Sequence, residues 1–147
     1  MRALVATVKY KLNLAIIDVY TKQVRPITEF AAPVWNSSIT IKEVQDIERV
    51  QKSALKIILA DQYTTYTKAL KISNLEELKI RRRTLSLKFA LKCEKSDKFM
   101  QWFVPNEHTS ITRSIPNKYC KPAARTARFE KSPLHYLTNL LNEHYKH

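Results

Sequence analysis

"NLEELKIRRRTLSLKFALK", Asn74 to Lys92, sets three arginines in a row inside a stretch that reads as a packed helix. A helix turns by about 100° per residue, so three consecutive side chains cannot share a face. On a helical wheel Arg82 falls with Leu75, Leu78, Leu85 and Phe89, on an apolar stripe. Arg81 falls with Lys88, Lys92 and Lys95 on a basic stripe, where Glu77 can pair with it at i, i+4. Arg83 points elsewhere, near Lys79 and Ala90. Ile80, Leu87 and Leu91 make a second apolar stripe, which sets this helix between two neighbours. A buried arginine must be paired, so Arg82 is expected to anchor on a carboxylate or on helix carbonyls. Arg81 is the nucleic-acid candidate of the three.

The same periodicity runs upstream. Asn74 and Glu77 have capping-box spacing, with Leu78 just inside the helix. Between Thr40 and Leu59, apolar residues from Val44 to Leu59 cover about half the helix circumference, with Gln51 in mid-arc as a buried, hydrogen-bonded amide. Thr40 with Glu43 predicts a capping box there, and Ile39 with Val44 a hydrophobic staple. On the opposite side Lys42, Arg49 and Lys56 recur every seven residues with Lys52 nearby, a continuous basic stripe. A short helical piece spans Thr65 to Ile72. Ala3 to Tyr20 has helical spacing through Leu4, Val8, Leu12 and Ile16; Pro26 suits the start of a short helix and Pro33 its end.

After Phe99 the period is lost. "WFVPNEHTSITRSIPNKYCKPAARTARFEKSP" holds Pro105, Pro116, Pro122 and Pro133 and reads as an extended arm. Arg113, Lys118, Lys121, Arg125, Arg128 and Lys131 alternate there with Tyr119 and Phe129. Cations along phosphates and rings against bases suit single strands; a solvated arm wrapped on its own helices has the same composition. Ser132 as N-cap and Pro133 as first residue start a last helix, striped by Leu134, Leu137, Leu140 and Leu141. The expected fold is all-α, a small helical bundle over residues 1–100, a proline-containing basic arm over 101–131, and a short C-terminal helix over 132–147.

Composition narrows the chemistry. The 147 residues carry a net charge of +13, spread through both halves, which draws polyanions such as nucleic acid or an acidic membrane surface. Glycine is absent, and phosphate-cradling loops, dinucleotide fingerprints and nucleophile elbows all depend on it. Asp18, Asp46, Asp61 and Asp97 are isolated, so no paired aspartates stand ready for two-metal phosphoryl transfer. The four histidines make no convincing set with a serine or cysteine, and Cys93 and Cys120 read as free thiols in a reducing compartment. Neither a signal peptide nor a run of roughly 20 apolar residues is present. The expectation is an intracellular protein, in nucleus or cytoplasm, with no membrane partner, no cofactor, no metal and no catalytic residue.

Several stretches, taken in order, resemble the C-terminal region of non-LTR (LINE-like, jockey-type) retrotransposon reverse transcriptases. They are "VYTKQVRPITEFAAPVWNSSIT", "IERVQKSALKIIL", "YTTYTKALKISNLEELKIRRRTLSLKFALK" and "SPLHYLTNLLN". The residues that match the family pattern are Arg25, Pro26, Glu29, Phe30, Ala31, Val34, Trp35, Ile47, Glu48, Gln51, Leu75, Leu78, Arg81, Arg82, Ser132, Pro133, Leu141 and Asn142.

In that family this region lies at and beyond the helical thumb, downstream of the palm. The palm's aromatic-x-Asp-Asp motif does not occur here. The resemblance therefore implies a fragment of a polymerase that holds template and primer, an RNA–DNA duplex foremost, with the upstream palm domain as its protein partner. Lys42, Arg49, Lys56, Arg81, Lys88, Lys92, Arg113, Lys121, Arg125 and Arg128 are the residues expected to meet nucleic acid. The alternative is a free-standing basic helical module that binds RNA, DNA or another protein.

Overall fold

Thr40 ends an extended approach and begins α4 (Ile41–Leu59): its hydroxyl accepts from the Glu43 backbone N–H, and Glu43 returns a bond to the Thr40 N–H. That capping box is where the local sequence places it. The computed structural model describes the backbone of residues 2–107 and 117–146, and side chains within those ranges from Lys11 onward. The fold is all-α; among the described residues the one backbone pairing of sheet type is an isolated bridge between Pro105 and Tyr119. Two compact units divide the chain, one of residues 1–30 and 40–81, the other of residues 31–39 and 82–147.

The first unit contains α1 (Arg2–Val19), a π-helical turn (Tyr20–Val24), α2 (Arg25–Glu29), α4 and α5 (Tyr66–Ser73). Leu55, Leu59, Ala69 and Leu70 join α4 to α5, while Ile17, Tyr20 and Ile58 join α1 to α4. Running through this core is a polar network centred on Gln51, fully buried as a mid-arc amide should be. Its amide nitrogen donates to the Tyr66 hydroxyl at 3.0 Å and to the Glu76 carbonyl at 2.9 Å, and its oxygen accepts from Tyr20 at 3.2 Å. Burial pushes the Tyr20 hydroxyl up to about 12, so it stays a neutral donor. Tyr66 in turn donates to buried Glu48.

Glu48 also settles how α6 (Leu78–Glu94) begins. Its carboxylate accepts from the Leu78 N–H at 3.2 Å. The capping box expected from Asn74 and Glu77 is not formed: Asn74 sits at φ 52 and caps the C-terminus of α5, where asparagine tolerates a left-handed backbone. Two further expectations shift by a residue or two. Among the described side chains, Asn13 and Ile17 of α1 and Tyr20 just beyond it are buried, whereas Leu12 and Ile16 of the predicted stripe are exposed. Pro33 starts α3 (Ala32–Trp35) and does not end α2; the break falls at Ala31, φ 50. With no glycine in the chain, alanine takes that position and another at Ala60, φ 44, at some cost in backbone strain.

The second unit is built on α3, the part of α6 from Arg82 onward, α7 (Ala127–Glu130) and α8 (Pro133–His144). Ala90, Cys93, Phe103, Tyr119, Leu137, Leu140 and Leu141 form its core, and α3 packs on α8. Along α6 the buried row is Leu78, Arg82, Ser86, Ala90 and Cys93; Phe89, placed inside by the wheel, is exposed.

Arg82 is internal, as expected, with no exposed surface, but the partner its Nε meets is a side-chain amide and not the carboxylate or helix carbonyls anticipated. Its Nε donates to the Asn36 side-chain oxygen at 3.0 Å, and its guanidinium lies 5.6 Å from the centre of the Trp35 ring. Asn142 of α8 performs a similar task for the arm. It accepts from the Tyr119 N–H at 2.8 Å and donates to the Tyr119 carbonyl at 3.0 Å, a side chain standing in for a neighbouring strand.

A carboxylate closes this unit. Glu94 accepts from Lys118 at 2.8 Å, from the Tyr119 hydroxyl, and from Tyr145 at 2.8 Å. Burial would raise its pKa, but the three donors outweigh it and hold Glu94 below the usual carboxylate range. A depressed carboxyl stabilises the fold above its unfolded value, about 4.3, and that contribution is lost as pH falls through the folded one. Lowering the pH from about 5 to about 3 should therefore shift the denaturation midpoint of the wild-type chain further than that of Glu94→Gln. Parallel shifts in both proteins would remove Glu94 from the account of acid sensitivity.

Candidate nucleic-acid interface

On α4 the capping box and the buried Glu48, Gln51, Leu55 row fix the helix rotation, and this turns the opposite face to solvent. Lys42, Arg49, Lys52 and Lys56 are exposed there. Seven helical residues rise about 10 Å, so Lys42, Arg49 and Lys56 form a row of evenly spaced charges. Arg49 pairs with Asp46 at 2.8 Å, but both are well exposed, and such a pair is worth little. Lys52 lies 5.0 Å from the Tyr66 ring centre and Lys56 5.8 Å from that of Tyr63. In both pairs it is the Nζ that stands over the ring face, a cation–π contact that leaves the lysines exposed. Among the described residues, Lys42, Lys52 and Lys56 form no ion pair.

Arg81 has a different setting. Its Nε lies 3.2 Å from Glu29, whose carboxylate also meets Arg25 Nε at 2.9 Å, and its Nη1 lies 3.7 Å from Glu76. Glu29 and Arg25 are nearly enclosed. The wheel places Arg81 with Lys88 and Lys92, yet its charge is already engaged within the first unit. Arg83, left open by the sequence, pairs on the surface of the second unit with Glu143.

Lys88, Lys92, Lys121, Arg125 and Arg128 are exposed in the second unit; Arg113 lies outside the described residues. The two rings expected to interleave with these cations part company. Tyr119 is buried, whereas Phe129 is 43% exposed on α7, held by the Thr126 hydroxyl, which accepts from the Phe129 N–H at 3.2 Å. Arg128 and Lys131 lie together along a cleft of about 440 Å³ that also takes in Ser38, Thr126 and Ser132. The sequence offers the spacing Thr126-x-x-Phe129 as a signal for a capped turn, but nothing local announces the cleft.

Among the described residues no three His, Cys, Asp or Glu side chains gather as metal ligands would, Cys93 and Cys120 are free thiols, and no helix is long and apolar enough to cross a membrane. No protein-family model matches the chain, and comparison with curated proteins and with solved structures yields no match.

Proposed function

We propose that the chain is the non-catalytic, post-palm part of a non-LTR retrotransposon reverse transcriptase and holds template–primer nucleic acid, an RNA–DNA duplex foremost. The observation that carries this reading is a division among the polar residues. Those that match the family pattern, Arg25, Glu29, Glu48, Gln51, Arg81 and Arg82, are engaged inside the two units. Outside that pattern, Lys42, Lys52 and Lys56 of the α4 face are exposed and form no ion pair among the described residues, on a chain of net charge +13. A scaffold that keeps its charges internal and a face that leaves them free suit phosphate binding by position and not by base sequence. The exposed apolar side chains Leu12, Ile16 and Val19 of α1 supply a surface for the upstream palm domain. An upstream coding frame carrying aromatic-x-Asp-Asp would support this parentage.

Binding itself is tested by titrating a labelled RNA–DNA hybrid over a range of salt. Phosphate contacts release counterions, so log affinity should fall linearly with log salt. The Lys42→Ala, Lys52→Ala, Lys56→Ala triple variant alters exposed positions only and should lower the slope by about 2 to 3. A wild-type slope near zero would end the nucleic-acid reading. A steep slope unchanged in the triple variant would move the contact away from α4.

A further inference from the structure

In the second unit the cationic cleft of Arg128 and Lys131 does not end at its own rim. Phe129, Ser132 and Pro133 form a wall that it shares with a second cleft, of about 430 Å³, whose lining includes Val34, Phe89, Trp102 and Leu137. Apart from Ser132 the side chains lining that second cleft are apolar, and three of its rings are partly exposed: Trp102 is 40% exposed, Phe129 43% and Phe89 37%. Exposed aromatic groups gathered around a hollow mark a place where something apolar and flat is received. On the other side of Phe129 the setting is that of an anion. Arg128 and Lys131 supply charge, and α8 begins there with no side-chain cap on its free N–H groups. At the boundary itself, the Ser132 hydroxyl is buried and makes no hydrogen bond among the described residues.

We infer that these paired clefts form a single-nucleotide pocket for an unpaired strand, with a nucleobase lodged against Phe129 and Trp102 and its phosphate held by Arg128, Lys131 and the start of α8. This rests on the nucleic-acid reading above and narrows it to one strand end or gap. The pairing of chemistries favours it: an apolar slot alone would take any side chain, and a cationic cleft alone any anion. A nucleotide carries a π-face and a negative charge side by side, the arrangement on the two sides of Phe129. Stacking without polar lining is tolerant of base identity, so little sequence preference is expected.

The experiment compares a short labelled oligothymidylate with the same chain made of abasic sugars, by fluorescence anisotropy over a range of salt. Phe129→Ala should weaken the base-bearing strand roughly 5- to 100-fold and leave the abasic strand unchanged. Phe129→Tyr should restore the loss, which separates stacking from damage to α7. Arg128→Ala with Lys131→Ala should weaken both strands and reduce the salt slope by about 1.4. Equal affinity of the two strands, or equal loss on removing Phe129, overturns the pocket. So does an acidic, tryptophan-bearing peptide whose capture needs Phe129 while the oligonucleotides do not, a result that gives the clefts to a protein partner. Salt-dependent binding indifferent to Phe129 refutes this inference alone, whereas no salt-dependent binding to any strand refutes the broader reading with it.

Discussion

Glu29→Ala is expected to lower stability by about 3 kcal/mol, because it removes the shared partner of two arginines. Arg25 Nε lies 2.9 Å from the Glu29 carboxylate, with side chains 9% and 11% exposed, so solvent cannot take over the contact. Arg25 would be left with the Glu76 carbonyl at 3.5 Å, at the long limit for a hydrogen bond. The Arg81 share is smaller: at 37% exposure its guanidinium can turn to water and keep Glu76 nearby. This asymmetry fixes the order of a short series. Glu29→Gln keeps one acceptor and should cost about 1 to 2 kcal/mol, and Arg81→Ala about 1 kcal/mol, since the enclosed Arg25–Glu29 pair survives. Urea midpoints at constant m would measure all three. Should Glu29→Ala cost less than Arg81→Ala, the pair would not hold α2 as described. The consequence for function is direct, because Arg81 spends its charge within the scaffold and should matter less for binding than Lys42, Lys52 or Lys56.

What could be read in advance follows how local each cause is. The Thr40–Glu43 capping box was legible because donor, acceptor and helix start lie within four residues. The start of α6 was not, because the acceptor that caps Leu78 is Glu48, thirty residues upstream, and Asn74 had two local uses to choose between. Gln51 was recognisable as buried from its place in the α4 arc, but its partners Tyr20, Tyr66 and Glu76 come from three other segments. In α1 apolar residues populate several faces, so the stripe through Leu12 and Ile16 competes with the one through Ile17 and Tyr20. Only packing on Ile58 decides between them. The charge of the candidate interface was evident in composition. Its rings were not: Tyr119 and Phe129 look alike in sequence, and the Asn142 and Glu94 bonds draw the first into the core while α7 leaves the second outside.

Arg82→Ala is the second large effect, expected at about 3 kcal/mol of stability with nucleic-acid affinity of the folded protein unchanged within about twofold. Truncating a fully buried side chain leaves a cavity, a term of about 2 to 5 kcal/mol. The Asn36 oxygen also loses a donor at 3.0 Å, while its amide remains tied to the Tyr136 hydroxyl at 2.9 Å, which restrains it from turning to a new partner. Against these stands the removal of a desolvated charge, which returns part of the loss. Two companion substitutions separate the terms. Arg82→Met keeps most of the volume and drops the charge, so it should cost about half as much as alanine. Arg82→Lys keeps the charge but neither the planar fork nor the stacking over Trp35, 5.6 Å away, and should lie nearer to alanine than to methionine. Trp35 emission would report the unfolding transition from beside the substituted side chain. If lysine restored full stability, the charge itself would be the stabilising element, and the planar contact with Asn36 and Trp35 incidental. If any of the three weakened oligonucleotide binding without lowering the midpoint, Arg82 would have to be reassigned from the core to the interface. Its neighbour two positions upstream, Ile80, is 51% exposed on the same helix, so the distinction turns on rotation about one axis and not on distance from the surface.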